Sequence, residues 1–178
     1  MNKLNIMLII LIAGLIFAAS ENTEEKFPDF KLDDIYGESV SLSDMVGERP
    51  IIVTFWATWC KPCKKELEKM KPIFAEMKDK VHFIAINQDG PRSRSKVSPY
   101  VKSENFEYTF LYDDNKDVMM RAGVSDIPEL FILDLEGNIV YRHRGYKLGN
   151  EIKHKKALDE LLETIPCEKE TSESNEEE

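Results

Sequence analysis

Two cysteines three positions apart, Cys60 and Cys63, stand in the run Trp59-Cys60-Lys61-Pro62-Cys63. If one helical turn separates them, their Cα atoms fall about 5 Å apart, within the range of an unstrained disulfide. A ring this small takes little entropy from the unfolded chain, about 2 kcal/mol by loop-closure arithmetic. Roughly 30 mV of two-electron potential corresponds to about 1.4 kcal/mol, so modest local effects can move such a pair between dithiol and disulfide. The bond is a poor staple and a good switch. Position also separates the two sulfurs. A cysteine at a helix N-terminus meets unpaired N–H groups and the positive end of the helix dipole, which favour a thiolate, and Lys61, Lys64 and Lys65 add positive charge nearby. Cys60 is therefore the expected nucleophile and Cys63, one turn further in, the resolving thiol. A tetrahedral zinc site would need two more ligands, and there is no second CxxC and no spaced His pair. His82, His143 and His154 are scattered and read as strand or surface residues.

The elements around the pair follow from periodicity. Ile51-Ile52-Val53-Thr54-Phe55-Trp56 is a nearly continuous apolar run after Pro50, the pattern of a strand buried on both faces. From 61 to 78 the positions Cys63, Leu67, Met70, Phe74 and Met77 recur at three and four, which predicts a helix with one buried stripe and both cysteines at the inward side of its start. Pro72 falls inside it and is expected to kink or divide it. A strand over 81–86 completes a β-α-β unit with a helical crossover. Short strands are predicted over 27–32 and 38–42, a loop over 87–91, a helix over about 93–103 that must tolerate Pro99, a strand over 108–111 and a short helix over 115–122. A hairpin over 129–133 and 138–142 turns at Asp134-Leu135-Glu136-Gly137, where glycine accepts positive φ. A last helix is predicted over 150–164, ended by Pro166.

Bulk properties narrow the setting. The 178 residues, 42% hydrophobic and 10% aromatic, suit one domain with one core. The formal net charge of -9 argues against a nucleic-acid partner, since phosphate binding needs surplus Lys and Arg. From 168 to 178, however, six Glu and one Lys supply -5 of that charge, so the remainder is only mildly acidic. Residues 167–178 read as a disordered acidic tail. At the other end, Asn2-Lys3 precedes an apolar run of 14 residues over 6–19 and then small residues, the outline of a signal peptide over 1–20. If retained, residues 4–19 would form a membrane anchor, the chain's one expected contact with a bilayer. Residues 21–26 read as a linker and 27–166 as the domain. Export implies an extracytoplasmic, periplasmic setting where disulfides persist. Cys167 is left as a passive thiol.

With those elements in place, Val53-Thr54-Phe55-Trp56-Ala57-Thr58-Trp59-Cys60-Lys61-Pro62-Cys63-Lys64-Lys65-Glu66 resembles the signature of TlpA/ResA-like thioredoxins. The likeness runs from Phe27-Pro28-Asp29-Phe30 through Gly37, Ser41-Leu42-Ser43-Asp44, Ile127-Pro128 and Asp134-Leu135-Glu136-Gly137 to Gly145-Tyr146. It implies an α/β, thioredoxin-like fold: a central mixed sheet flanked by helices, with an N-terminal β-hairpin extension and a central helix–strand insertion. It implies an extracytoplasmic thiol–disulfide oxidoreductase reducing disulfide-containing proteins, apocytochrome c among them, and recharged by a transmembrane thiol carrier. No cofactor beyond the Cys60–Cys63 disulfide, and no metal, is expected. Ile127-Pro128 matches the family's cis-proline loop, which with Trp59 and Pro62 would line the substrate groove. Glu66 matches a family glutamate; helical spacing puts it on the Cys63 side at the border of the core, where a carboxylate could take the Cys63 proton. Ordinary cytoplasmic thioredoxins carry Asp where this chain has Thr54, which leaves that role open. Family members often have Pro where Glu68 stands, a departure that concerns the kink.

Two other functions are compatible with a cysteine of this kind. A thiol peroxidase of the same fold group would carry Thr or Ser three residues before its reactive cysteine, where this chain has Ala57. A copper chaperone would use a wider CxxxC and a downstream His, for which His143 is a weak match.

Overall fold

The computed structural model describes residues 24–165. The predicted signal peptide, residues 21–23 of the predicted linker, Pro166, Cys167 and the predicted acidic tail lie outside them. A five-stranded sheet forms the centre, built from β3 (Ile51–Trp56), β4 (His82–Asn87), β5 (Thr109–Tyr112), β6 (Glu129–Leu133) and β7 (Ile139–Arg144) in the order β5-β4-β3-β6-β7. β3 runs parallel to β4 and β4 to β5, while β6 is antiparallel to both β3 and β7. The sheet is therefore mixed, with β3 at its middle. β1 (Lys31–Asp33) and β2 (Ser39–Ser41) form a separate antiparallel hairpin. Helix α1 (Lys61–Met77) crosses from β3 to β4, α2 (Val97–Ser103) and α3 (Asp117–Arg121) flank β5, and α4 (Asn150–Thr164) closes the chain.

Strand alternation sorts the core into two layers. Ile51, Val53, Phe55, Ile84, Ile86, Phe131 and Leu133 face one way, packing on Phe27, Phe30, Leu42 and Val118. Ile52, Trp56, Phe83, Leu130 and Ile132 face the other, against Cys63, Leu67, Met70 and Ile73 of α1 and Leu158 of α4. Thr54 belongs by alternation to this second face, under α1. Register then carries the face across the sheet: Thr54 lies opposite Leu130 and Leu130 opposite His143, while Ile52 lies opposite Ile132 and Ile132 opposite Tyr141. Polar residues from β3 and β7 thus share one layer with two helices.

Several expectations are corrected. Residues 27–30 are not strand: Pro28 offers no N–H, and Asp29 Oδ1 accepts instead from the N–H groups of Phe30 and Ser43 at 2.9 and 3.2 Å. Pro72 does not divide α1, because the buried Met70, Ile73 and Met77 hold the turns on either side of it. The predicted helix over 93–103 is a 3₁₀ turn, Arg94–Lys96, followed by α2, and Pro99 falls in the first turn of α2, where its missing N–H is not needed. α3 starts at Asp117, where Asp113 accepts from the N–H groups of Val118 and Met119. The helix over 150–164 agrees with the expectation.

Phe131 is wholly buried and meets Phe27 and Phe55 edge-on, with centroids 5.2 and 6.1 Å away. Phe131→Ala should lower unfolding free energy by about 3–5 kcal/mol, read from the urea midpoint at unchanged slope.

Candidate active site

The site begins where β3 runs out. The backbone turns through Ala57, whose C=O accepts from Cys60 N–H at 3.0 Å, and Cys60 becomes the N-cap of α1. Cys60 and Cys63 are joined as a disulfide with Cα atoms 5.3 Å apart. The Cys63 N–H donates to Cys60 Sγ at 3.2 Å, so the outer sulfur occupies the place that a capping oxygen holds in most helices. Cys60 is 5% exposed and Cys63 not at all, the asymmetry expected of an attacking and a resolving thiol.

A second loop clamps this turn. Asp89, 2% exposed, accepts from Thr58 N–H and Thr58 Oγ1, both at 2.7 Å, and from Asn87 Nδ2 at 2.9 Å. Gln88 N–H donates to Trp56 C=O at 2.8 Å. Sequence reasoning read 87–91 only as a loop; the signal available was an Asp following the strand parallel to β3, since loops at the same end of adjacent parallel strands meet.

The Ile127–Pro128 peptide is cis, and the Ile127 carbonyl lies 3.8 Å from Cys60 Sγ. Beside it runs a groove of about 530 Å³ lined by Pro62, Ile127, Pro128, His143, Tyr146 and Lys153 among others. Trp59, 63% exposed, lines a neighbouring hollow with Gln88, Met119 and Ile127. The four predicted groove residues are thus brought together around the disulfide, with Ile127 shared between two hollows. Of the lysines, Lys65 is paired with Glu68 at 3.1 Å, and its hydrogen bond and charge hold the Glu68 carboxyl below its usual range. Lys64 lies 5.4 Å above the Tyr100 ring.

Glu66 is 1% exposed. It accepts from Thr54 Oγ1 at 2.8 Å through Oε2, and its Oε1 faces His154 Nε2 at 3.7 Å. A hydroxyl of the central strand thus meets a carboxylate from the helix above. His154, read from sequence as a strand or surface residue, is 1% exposed and contacts Tyr141 through Nδ1 at 3.0 Å. His143 lines the groove and lies edge-on to His154 at 5.0 Å. Burial and then the nearby His154 push the His143 pKa down. Among the described residues no three potential ligands are grouped so as to hold a metal ion, and no helix is long and apolar enough to cross a membrane.

A disulfide capping the helix that follows the central strand of this sheet, faced by a cis-proline loop, defines a thioredoxin-fold thiol–disulfide oxidoreductase. The chain belongs to the AhpC/TSA family, whose pattern matches residues 23–142, and is a ResA-like member of it. Thioredoxin-like protein YneN of Bacillus subtilis is 32% identical over 136 residues, covering 76% of this chain and 79% of that protein. Thiol-disulfide oxidoreductase ResA of the same organism is 31% identical over 144 residues, covering 75% and 79%. The solution structure of a thioredoxin-like protein from Porphyromonas gingivalis superposes with a TM-score of 0.67 at 36% identity, over 80% of this chain and 95% of that one.

Asp89→Ala leaves the Thr58 N–H without its partner beside the disulfide turn. A loss of about 1–3 kcal/mol in the oxidised protein is expected, measured by denaturant unfolding.

Proposed function

We propose that this protein works outside the cytoplasm as a reductase of protein disulfides, with Cys60 attacking and Cys63 resolving. The observation that carries the reading is the Cys63 N–H aimed at Cys60 Sγ at the mouth of α1. Once the disulfide opens, that N–H and the helix dipole favour an anion on the outer sulfur. The Cys60 thiolate attacks a substrate disulfide and forms a mixed disulfide, and one substrate sulfur leaves. Cys63 then attacks Cys60 Sγ; the second substrate sulfur leaves, the substrate has gained two electrons, and the pair is again a disulfide. The Cys63 proton goes to Glu66, which helical spacing places on the same face. Trp59, Pro62, Ile127 and Pro128 guide the substrate strand into the groove. A transmembrane thiol carrier returns the electrons, and residues 1–20 direct export or hold the protein at the membrane through 4–19. Apocytochrome c, implied by the family resemblance, is a fitting substrate. A peroxidase reading is disfavoured by Ala57, buried and without a hydroxyl to orient a peroxide.

Reduced protein should reduce insulin, followed as turbidity. Cys60→Ser should abolish this, while Cys63→Ser should accumulate a mixed disulfide visible by mass spectrometry. Wild-type turnover in Cys60→Ser would refute the assignment, and peroxide consumption in place of insulin reduction would move it to the peroxidases.

A further inference from the structure

Among the buried titratable side chains that the disulfide chemistry leaves without a role is His154. It is a residue of α4, 1% exposed, and stands beyond residue 142, where the family match ends. Its Nε2 and the Glu66 Oε1 have no hydrogen-bond partner among the described residues, and they face each other at 3.7 Å. We propose that His154 is a positioning residue for proton transfer, holding the buried Glu66 ionised so that the carboxylate can take the Cys63 proton. This rests on the acid–base reading of Glu66 given above.

A carboxyl group removed from water tends to keep its proton, and a protonated acid cannot accept another. One hydroxyl donor, Thr54, opposes that tendency from β3. A second donor comes from α4. Burial and then the Glu66 charge push the Tyr141 pKa up, so its hydroxyl stays protonated. The hydroxyl and His154 Nδ1 lie 3.0 Å apart, and in the tautomer this proposal assigns the hydroxyl donates to Nδ1 and the imidazole proton sits on Nε2, facing Glu66. The other groups facing the pair do not supply the missing charge. His143 on β7 is disfavoured as a cation by burial and then by His154, which together outweigh the opposing pull of the Glu66 charge, with a lesser push from Lys153, and it is engaged by Asn150. Tyr146 donates to Glu151 at 2.6 Å and its own pKa is raised, first by burial. On α1, Cys63 stands three positions before Glu66 and is buried like it.

In the step concerned, the Cys63–Cys60 S–S bond forms as the Cys60–substrate S–S bond breaks. The proton leaves Cys63 for Glu66, and the departing sulfur carries the electron pair as a thiolate. Without His154 the carboxylate stays protonated to higher pH, so the rate of this step should rise later on the pH axis.

The test uses the full chain with Cys167→Ser, reduced and mixed with dithiobis(nitrobenzoate), reading release of the second nitrothiobenzoate as Cys63 resolves the Cys60 adduct. His154→Phe should raise the half-rise pH by one unit or more and slow release about tenfold below it. His154→Gln, which keeps an N–H near the Nε2 position, should recover most of the rate; His154→Leu serves if the Phe variant does not fold. In Glu66→Gln, His154→Phe should add no further slowing. An unchanged half-rise in the apolar variant, no recovery by Gln, or equal slowing with and without Glu66 would overturn the role of His154 alone. Glu66→Gln behaving as wild type would overturn the Glu66 reading beneath it.

Discussion

A single backbone N–H, that of Cys63, points at the sulfur of Cys60, and the rest of the fold serves to keep it there. A helix N-terminus has donors with no partner inside the helix. Most helices fill the need with an oxygen that does nothing else. Here the cap is a sulfur that can be a thiolate, a thiol or half of a disulfide, so capping and redox state become one variable. The pair must therefore sit on a rigid support, or its chemistry would change with every local fluctuation.

That support is layered. β3 is wholly buried at the middle of the sheet, bonded on one side to the parallel β4 and on the other to the antiparallel β6. Each neighbour delivers a loop to the end of β3 where the cysteines begin. The loop after β4 brings Asp89 to Thr58, and the loop before β6 brings Ile127 and Pro128 to Cys60. A mixed sheet makes this convergence possible, since the C-terminal ends of β3 and β4 share an edge with the N-terminal end of β6.

Beneath the disulfide the core is not uniformly apolar. Thr54, Glu66, His154 and Tyr141 come from β3, α1, α4 and β7 and meet in one layer. Burying a carboxylate is unfavourable unless it is well paired, and replacing such a group with an apolar one is often neutral or stabilising. Packing alone does not call for a Glu–His contact one helical turn behind a redox-active cysteine.

Local pattern in the chain was enough to reveal the cysteine pair, the doubly buried β3, the stripe of α1 and the bounds of α4, because each depends on residues a few positions apart. The order of attack could be argued from position alone, since a helix N-terminus is a local property. Glu66 was placed at the border of the core by helical spacing, and the fold puts it fully inside. Pro72 was expected to kink or divide α1, and the helix runs through it undivided between the buried Met70 and Ile73. His154 could not be found this way. Its partners Glu66 and Tyr141 lie 88 and 13 positions away, and Thr54, which contacts the same carboxylate, 100 away; only the strand register and the docking of α4 on that face bring them together. Periodicity records which face of an element is apolar; which polar residues of different elements meet is settled by tertiary packing, because desolvation and pairing energies arise only once those faces close.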